Sequence, residues 1–251
     1  MLDDRITLFT LFGFKVQLDA SWVVIALLVT WSLATGYFPS NYENLSAGSY
    51  WLMGVVGATG LFLSIIFHEF WHSVIARYYG LPMKGITLFI FGGIAEMNQE
   101  PDRPKTEFLM AAAGPLSSVI LGFGFHGLKL VVETQNNPTA LGVIFGYLAF
   151  INWLLAGFNM LPAFPLDGGR ILRSALWTVK NDLAWATRIV CRIGAGFGVG
   201  LIALGVITFL QGYAISGVWY VIIGMFLRGA AQASAERLKG RLPDSDPETD
   251  L

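Results

Sequence analysis

The fold is decided by residues 51–76, which read WLMGVVGATGLFLSIIFHEFWHSVIA. The first charged side chain in this segment is Glu69, so the residues before it form a long uncharged run. A helix needs about 20 apolar residues to cross the hydrocarbon core of a bilayer. The segment therefore predicts a transmembrane helix. It also carries two histidines and a carboxylate at a depth where ionisable groups are costly and are usually functional.

The composition of the whole chain agrees with a membrane protein. Of its 251 residues, 55% are hydrophobic and 13% are charged, whereas a soluble domain has about 25% charged residues. The formal net charge of −1 argues against nucleic acid as a partner, because phosphate binding requires a basic surface. The single cysteine, Cys191, excludes a disulfide framework and a zinc site built from several cysteines.

Six segments are long and apolar enough to cross a bilayer: residues 20–36, 51–76, 107–126, 140–165, 190–210 and 213–230. They predict an all-α polytopic membrane protein with about six transmembrane helices. Residues 1–19 are too polar for a cleaved signal peptide, so the first span is expected to remain as an anchor. We expect one membrane domain over residues 1–241 and a disordered acidic tail at 242–251.

Two connections between these spans are unusual. Residues 81–106 exceed a simple turn, and within them residues 86–91 favour a β-strand with 94–97 as its returning partner. We therefore predict a small membrane-associated β element between the second and third spans, sheltered by protein or by a cavity. The second unusual connection follows Asn159, where prolines and glycines are expected to break the fourth helix.

The basic residues predict the orientation in the membrane. All 16 Lys and Arg residues except Lys129 lie in segments that this topology places on one side. Because basic residues favour the cytoplasmic side, both termini are predicted to be cytoplasmic. The expected location is a prokaryotic cell membrane.

The strongest chemical motif is His68-Glu69-Phe70-Trp71-His72, an H-E-x-x-H pattern. Residues four apart share one face of a helix, so the two imidazoles can bind one Zn²⁺ ion. The glutamate between them is placed to activate a water molecule. The alternative for these residues is a polar helix face that only packs against other helices.

A catalytic zinc usually has a third protein ligand. His126 lies at the opposite end of the third span in this topology, and we interpret it as an interfacial histidine. Asp167 lies on the same side as the motif, and Gly168 and Gly169 after it allow the backbone to approach the site closely. A helix-capping aspartate is the alternative for Asp167.

The two motifs together resemble the site-2 protease family of intramembrane zinc metalloproteases. One is His68 to His72, and the other is residues 159–170, NMLPAFPLDGGR. Residues 91–95 and 113–117 are similar to that family as well. The resemblance covers about residues 60–177 and implies a three-helix catalytic core within 51–177.

The resemblance implies roles for five residues. Zinc would be bound by His68, His72 and Asp167, Glu69 would be the general base, and Asn159 would line the substrate site. One departure concerns the residues after Gly114-Pro115, where many relatives carry Asn at the third position and this chain carries Ser118. No role of that Asn is therefore carried over.

The sequence thus predicts an intramembrane zinc metalloprotease that cleaves membrane proteins in or near their transmembrane segments, for regulated intramembrane proteolysis. Its expected partners are one zinc ion, a transmembrane substrate and the lipid bilayer; a regulatory partner or domain stays open. The alternatives are an inactive zinc-binding membrane protein, a metal transporter and a prenyl-protein protease. Glu69 argues against the first, because binding alone needs no base, and the lack of an internal repeat argues against the second.

Overall fold

The computed structural model describes residues 6–19, 21–89, 92–97, 100–133 and 138–239. The expected disordered tail at 242–251 lies outside these residues. The chain divides into two compact units. The first comprises Met1–Asp102 and Ala112–Phe158, and the second comprises Arg103–Ala111 and Asn159–Leu251.

The described residues form seven helices: α1 (Ser21–Asn41, with a π-helical turn at Leu33–Tyr37), α2 (Ala47–Tyr78), α3 (Pro104–Val132), α4 (Ala140–Asn159), α5 (Asp167–Lys180), α6 (Leu183–Leu210) and α7 (Ala214–Lys239). All except α5 are long and apolar enough to cross a membrane. Large apolar side chains such as Leu27, Leu63 and Phe123 are more than half exposed, as expected of helix faces that contact lipid. The prediction of an all-α polytopic membrane protein with six spans is confirmed.

The fourth and fifth spans differ from their predicted bounds. Helix α4 ends at Asn159 rather than at residue 165, because the prolines that follow cannot continue the helical hydrogen-bond ladder. Helix α6 begins at Leu183, seven residues before the predicted start at 190. Its N-cap is Asp182, whose side chain accepts a hydrogen bond from the Trp185 backbone N–H at 2.8 Å. This cap explains the earlier start.

The β element is larger than predicted. Its strands are β1 (Ile6–Leu11), β2 (Phe14–Leu18), β3 (Met83–Phe89) and β4 (Gly92–Met97), in the order β1-β2-β3-β4. The predicted hairpin between the second and third spans is confirmed as β3 and β4, which pair antiparallel. The hairpin of β1 and β2 was not predicted, because residues 1–19 were interpreted only as the polar flank of the first span. Strand β2 adds to β3 in parallel.

The core of the first unit holds α2 against its neighbours. Buried side chains of the π-helical end of α1, of α2 and of α4 form one cluster: Leu33, Phe38, Met53, Ala58, Phe62, Ile144, Tyr147 and Leu148. Within this unit the Asn152 amide donates a hydrogen bond to Ser64 Oγ at 2.9 Å, which joins α4 to α2. At the other end of α2, Arg77 donates to the Phe12 carbonyl oxygen at 2.6 Å. These contacts fix α2, the helix of the histidine motif.

The second unit is built on a glycine-lined helical hairpin of α6 and α7. A Cβ atom on Gly198 would lie 2.6 Å from the carbonyl oxygen of Gly224, and one on Gly205 would lie 2.7 Å from that of Gly217. Such small residues let two helices approach closely within a membrane, where packing rather than water exclusion drives association. Val190 and Cys191 of α6 then pack with Phe164 from the segment before α5.

Candidate metal site

Helix α2 brings the two histidines of the motif together. His68 and His72 lie one turn apart, with exposed fractions of 2% and 8%. Their Nε2 atoms are 3.2 Å apart, and the ring planes cross at 76°. Two imidazole nitrogens this close share a proton or point towards a common cation. The pair therefore has the nitrogen arrangement that a metal ion requires of histidine ligands.

Ser118 of α3 orients the first of these rings. Its Oγ atom lies 2.9 Å from His68 Nδ1, and the serine is fully buried. When Nδ1–H donates to Ser118 Oγ, the lone pair of His68 is on Nε2, the atom that faces His72. Hydrogen bonding of the second ring nitrogen is how metal-binding histidines are normally held in one tautomer. The sequence analysis missed Ser118, although its position four residues after Gly114 places both on one face of α3.

Gly114 leaves space beside the histidine pair. A Cβ atom at this position would overlap His72 Nε2 and would lie 2.6 Å from His68 Nε2. Any larger residue would therefore occupy the volume next to both nitrogen atoms. Two converging nitrogens and this cradle fit a bound metal ion. The sequence analysis had quoted Gly114 only as part of a family motif.

Glu69 follows His68 directly on α2 and is partly buried. Its backbone carbonyl accepts a hydrogen bond from Ser73 Oγ at 3.0 Å, within the same helix. A carboxylate in this partly enclosed setting beside the histidine pair can act as a base towards water.

The other two predicted site residues belong to the second unit, on either side of the break after α4. Asn159 is the last residue of α4, and Asp167 is the first residue of α5; both are partly buried. The N-cap of α5 is Leu166, not Asp167. Asp167 is therefore not the capping aspartate that was the alternative interpretation.

The glycines after Asp167 pack against the turn that precedes it. A Cβ atom on Gly168 would overlap the Met160 carbonyl oxygen, and one on Gly169 would lie 2.7 Å from the Phe164 backbone nitrogen. Both neighbours are backbone atoms, which cannot rotate away as a side chain can. The close approach that these glycines allow is to residues 160–164, and it joins the first turn of α5 to that segment. The predicted approach of the backbone to the metal site stays a prediction.

His126 lies away from the histidine pair along α3. It follows Ser118 by eight residues, which is about 12 Å of helix. Its ring lies against Trp153 of α4, with ring centroids 5.6 Å apart. This contact is what we expect of a histidine that packs near the end of a span.

Comparison with known proteins gives a consistent result. The model of peptidase family M50 matches residues 56–142 and 130–201. Rip3 from Mycobacterium tuberculosis, which is named as a zinc metalloprotease, is 38% identical over 94% of this chain and 60% of its own length. The relative sll0528 from Synechocystis, with a similar name, is 37% identical over 93% of this chain and 60% of its own length. The chain thus spans about three-fifths of the length of these curated relatives.

A solved structure has the same fold. The site-2 protease from Methanocaldococcus jannaschii matches with a TM-score of 0.59 and 28% sequence identity. The match covers 92% of this chain and 95% of that protein. The likeness therefore extends over nearly all of both chains.

Proposed function

Because the chain belongs to peptidase family M50, we propose that it is an intramembrane zinc metalloprotease of the site-2 protease type. The observation that carries this proposal is the pair of buried imidazoles, whose Nε2 atoms lie 3.2 Å apart beside the space left by Gly114. The chain is an integral multi-pass membrane protein with six spans. We propose that it hydrolyses peptide bonds in or near the transmembrane segments of other membrane proteins.

We assign three ligands to one zinc ion per chain: His68, His72 and Asp167. The paired motifs support this set, and so does its chemistry, since two imidazoles and one carboxylate are a common ligand combination at catalytic zinc. The Nδ1 contact of His68 with Ser118 supports ligation through Nε2. The glycines that follow Asp167 support a fixed carboxylate.

Held by His68, His72 and Asp167, a zinc ion would supply Lewis-acid polarisation of the substrate carbonyl and a lowered pKa of bound water. Glu69 takes a proton from the attacking water while the water oxygen bonds to the carbonyl carbon. Asn159 donates an amide N–H to the oxygen on which negative charge develops. As the C–N bond breaks, Glu69 returns the proton to the amine nitrogen. The products are a carboxylic acid and an amine, and transfer of the acid proton to the amine at neutral pH leaves a carboxylate and an ammonium group.

The substrate must present an extended backbone, because a helix hides its carbonyl groups in internal hydrogen bonds. Strand β4 ends the described order of strands, and an extended peptide can add to such an edge. We therefore propose substrates with helix-breaking residues near the cytoplasmic face. The proposed setting is a prokaryotic cell membrane with both termini cytoplasmic. We further propose that a regulatory partner or domain controls the cleavage.

The test compares wild type, Glu69→Gln and Asp167→Ala in detergent. Zinc content is measured together with cleavage of a synthetic transmembrane peptide that carries Asn-Gly near one end. We expect about one zinc per chain and cleavage in the wild type. Glu69→Gln should keep its zinc and lose about 10²–10⁴-fold in cleavage rate, while Asp167→Ala should lose zinc.

Each part of the proposal has its own contradicting result. A well-folded wild type that takes up no zinc would overturn the metalloprotease assignment. Wild-type turnover in Glu69→Gln would show that another group is the base. Full zinc content in Asp167→Ala would remove Asp167 from the ligand set.

A further inference from the structure

A buried ion pair links α5 to the first turn of α3. Arg173 Nε donates to Glu107 Oε1 at 2.7 Å, and a terminal guanidinium nitrogen contacts the same oxygen. Their exposed fractions are 4% for Arg173 and 0% for Glu107. Both residues lie in the second unit. From the sequence, Arg173 was only one of the basic residues that predict the orientation, and Glu107 was only a carboxylate near a helix N-terminus.

Helix α5 is held in an unusual way for a helix of a membrane protein. Its buried residues are Gly168, Gly169, Arg173 and Ser174, so the most enclosed part of its surface carries no large apolar side chain. Ser174 Oγ donates to the Ile171 carbonyl oxygen within α5 itself. Leu172 and Leu176 add partly buried apolar contacts with the cluster of Phe164, Val190 and Cys191. The position of this helix therefore depends on that packing, on backbone contacts at the glycines and on Arg173.

Arg173 also contacts the segment that leads into α5. Its guanidinium carbon lies 5.0 Å from the centre of the Phe164 ring. The backbone of Phe164 is in turn close to α6, because a Cβ atom on Gly194 would lie 2.6 Å from the Phe164 carbonyl oxygen. One guanidinium thus contacts both the first turn of α3 and Phe164, which lies three residues before Asp167.

We propose that Glu107 and Arg173 are a positioning pair that holds Asp167 in place for metal binding; this inference rests on the proposed function. The planar guanidinium contacts Glu107 with two nitrogens and lies over the Phe164 ring. Within the second unit it therefore sets both the distance and the rotation of α5 relative to the first turn of α3. A lysine in its place would be a point charge without this geometry. Buried ion pairs are weak contributors to stability compared with apolar packing. Geometric control of α5 is the function that the pair can serve.

The test measures metal binding apart from proteolysis. Full-length wild type, Arg173→Lys and Glu107→Gln are purified in detergent, and the zinc dissociation constant is measured by competition with a chromophoric chelator. The visible absorption spectrum of the Co²⁺-loaded protein reports the geometry of the ligands. We expect zinc affinity about tenfold weaker in both variants, the lower end of the range for outer partners of metal ligands. We also expect an altered cobalt spectrum.

The matched control is Gly205→Ala. This change places a methyl group against the Gly217 carbonyl oxygen at the contact of α6 and α7, away from Arg173 and Asp167 in sequence and element. It should lower the thermal unfolding midpoint and leave zinc affinity and the cobalt spectrum unchanged. Glu107→Gln preserves the shape of the side chain, so it carries the test if Arg173→Lys does not yield monodisperse protein.

Two results separate this inference from the function on which it rests. Wild-type zinc affinity and cobalt spectrum in both variants would overturn the positioning role alone. The positioning role would also be overturned if zinc affinity fell in proportion to the thermal midpoint in both variants and in Gly205→Ala. A wild type that binds neither metal would overturn the proposed function first.

Discussion

The histidine pair and Asp167 reach their positions by different means. His68 and His72 are on one uninterrupted helix, and their spacing alone turns both rings to the same side. Asp167 begins a new helix after a turn that contains two prolines. Its place depends on backbone contacts of Gly168 and Gly169 and on the buried contacts of Arg173.

The proposed metal ligands are therefore specified in two ways, by local helical spacing and by non-local packing. Helical spacing is local, so a ligand pair at positions i and i+4 is specified by a few residues. The direction of a helix that follows a broken segment is not local, because it depends on which other elements pack against it. Changes around the histidines should therefore act on the space for the metal, whereas changes around Asp167 should act on fold and metal together.

Gly114→Ala should have the largest effect on zinc binding, and it acts on the space beside the two histidines. The new methyl group would overlap His72 Nε2 and crowd His68 Nε2, so we expect no measurable zinc binding in a chelator competition assay. Gly124→Ala is the control on the same helix, since a Cβ atom there meets nothing within 4 Å. It should bind zinc as the wild type does. Wild-type affinity in Gly114→Ala would contradict the assignment of this space to the metal.

Gly168→Ala should have the next largest effect, on the side of Asp167. Its methyl group would overlap the Met160 carbonyl oxygen, and such overpacking costs about 1–3 kcal/mol of unfolding free energy. We expect a lower thermal midpoint together with about 100-fold weaker zinc binding. Gly196→Ala, where the new Cβ atom meets nothing within 4 Å, should change neither. A Gly168→Ala protein that loses stability but keeps its zinc affinity would show that Asp167 is not held by this contact.

Ser118→Ala should have the smallest effect on zinc binding, and it tests whether the orientation of the His68 ring matters. Without Ser118 Oγ, His68 Nδ1 loses its hydrogen bond at 2.9 Å and Nε2 is less firmly aimed. Zinc affinity should fall about tenfold with little change in thermal midpoint. Ser117→Ala is the neighbouring control, because Ser117 Oγ donates only to the Gly114 carbonyl oxygen of its own helix among its described contacts. Equal losses in the two variants would argue against a role of Ser118 in orienting the ring.

The sequence predicted most of the helical architecture and only part of the sheet. Six apolar runs marked the spans, and the prolines after Asn159 marked the break that follows α4, although the predicted span ran on to residue 165. The hairpin of β1 and β2 was missed because residues 1–19 were interpreted only as the polar flank of the first span. The parallel pairing of β2 with β3 joins segments about 70 residues apart in the chain. No periodicity within residues 1–19 carries that information.

The same limit explains which site residues were missed. The motif pointed directly to His68, Glu69 and His72, since these residues need only a helix to share their chemistry. Ser118 gained its role only through the packing of α3 on α2. In the second unit, Glu107 gained a partner only where α3 meets α5.

The amino-acid order alone set the spacing of the histidines, the apolar spans and the break before Asp167, because each of these follows from backbone geometry over a few residues. Tertiary structure decided which groups complete the surroundings of those residues. Three of these groups come from elements distant in the chain. They are the Ser118 hydroxyl that contacts His68, the space left by Gly114 and the Arg173 guanidinium that contacts Glu107. Their physical basis is the close packing of helices, which turns a missing methyl group or one buried charge into a constraint on where a ligand can lie.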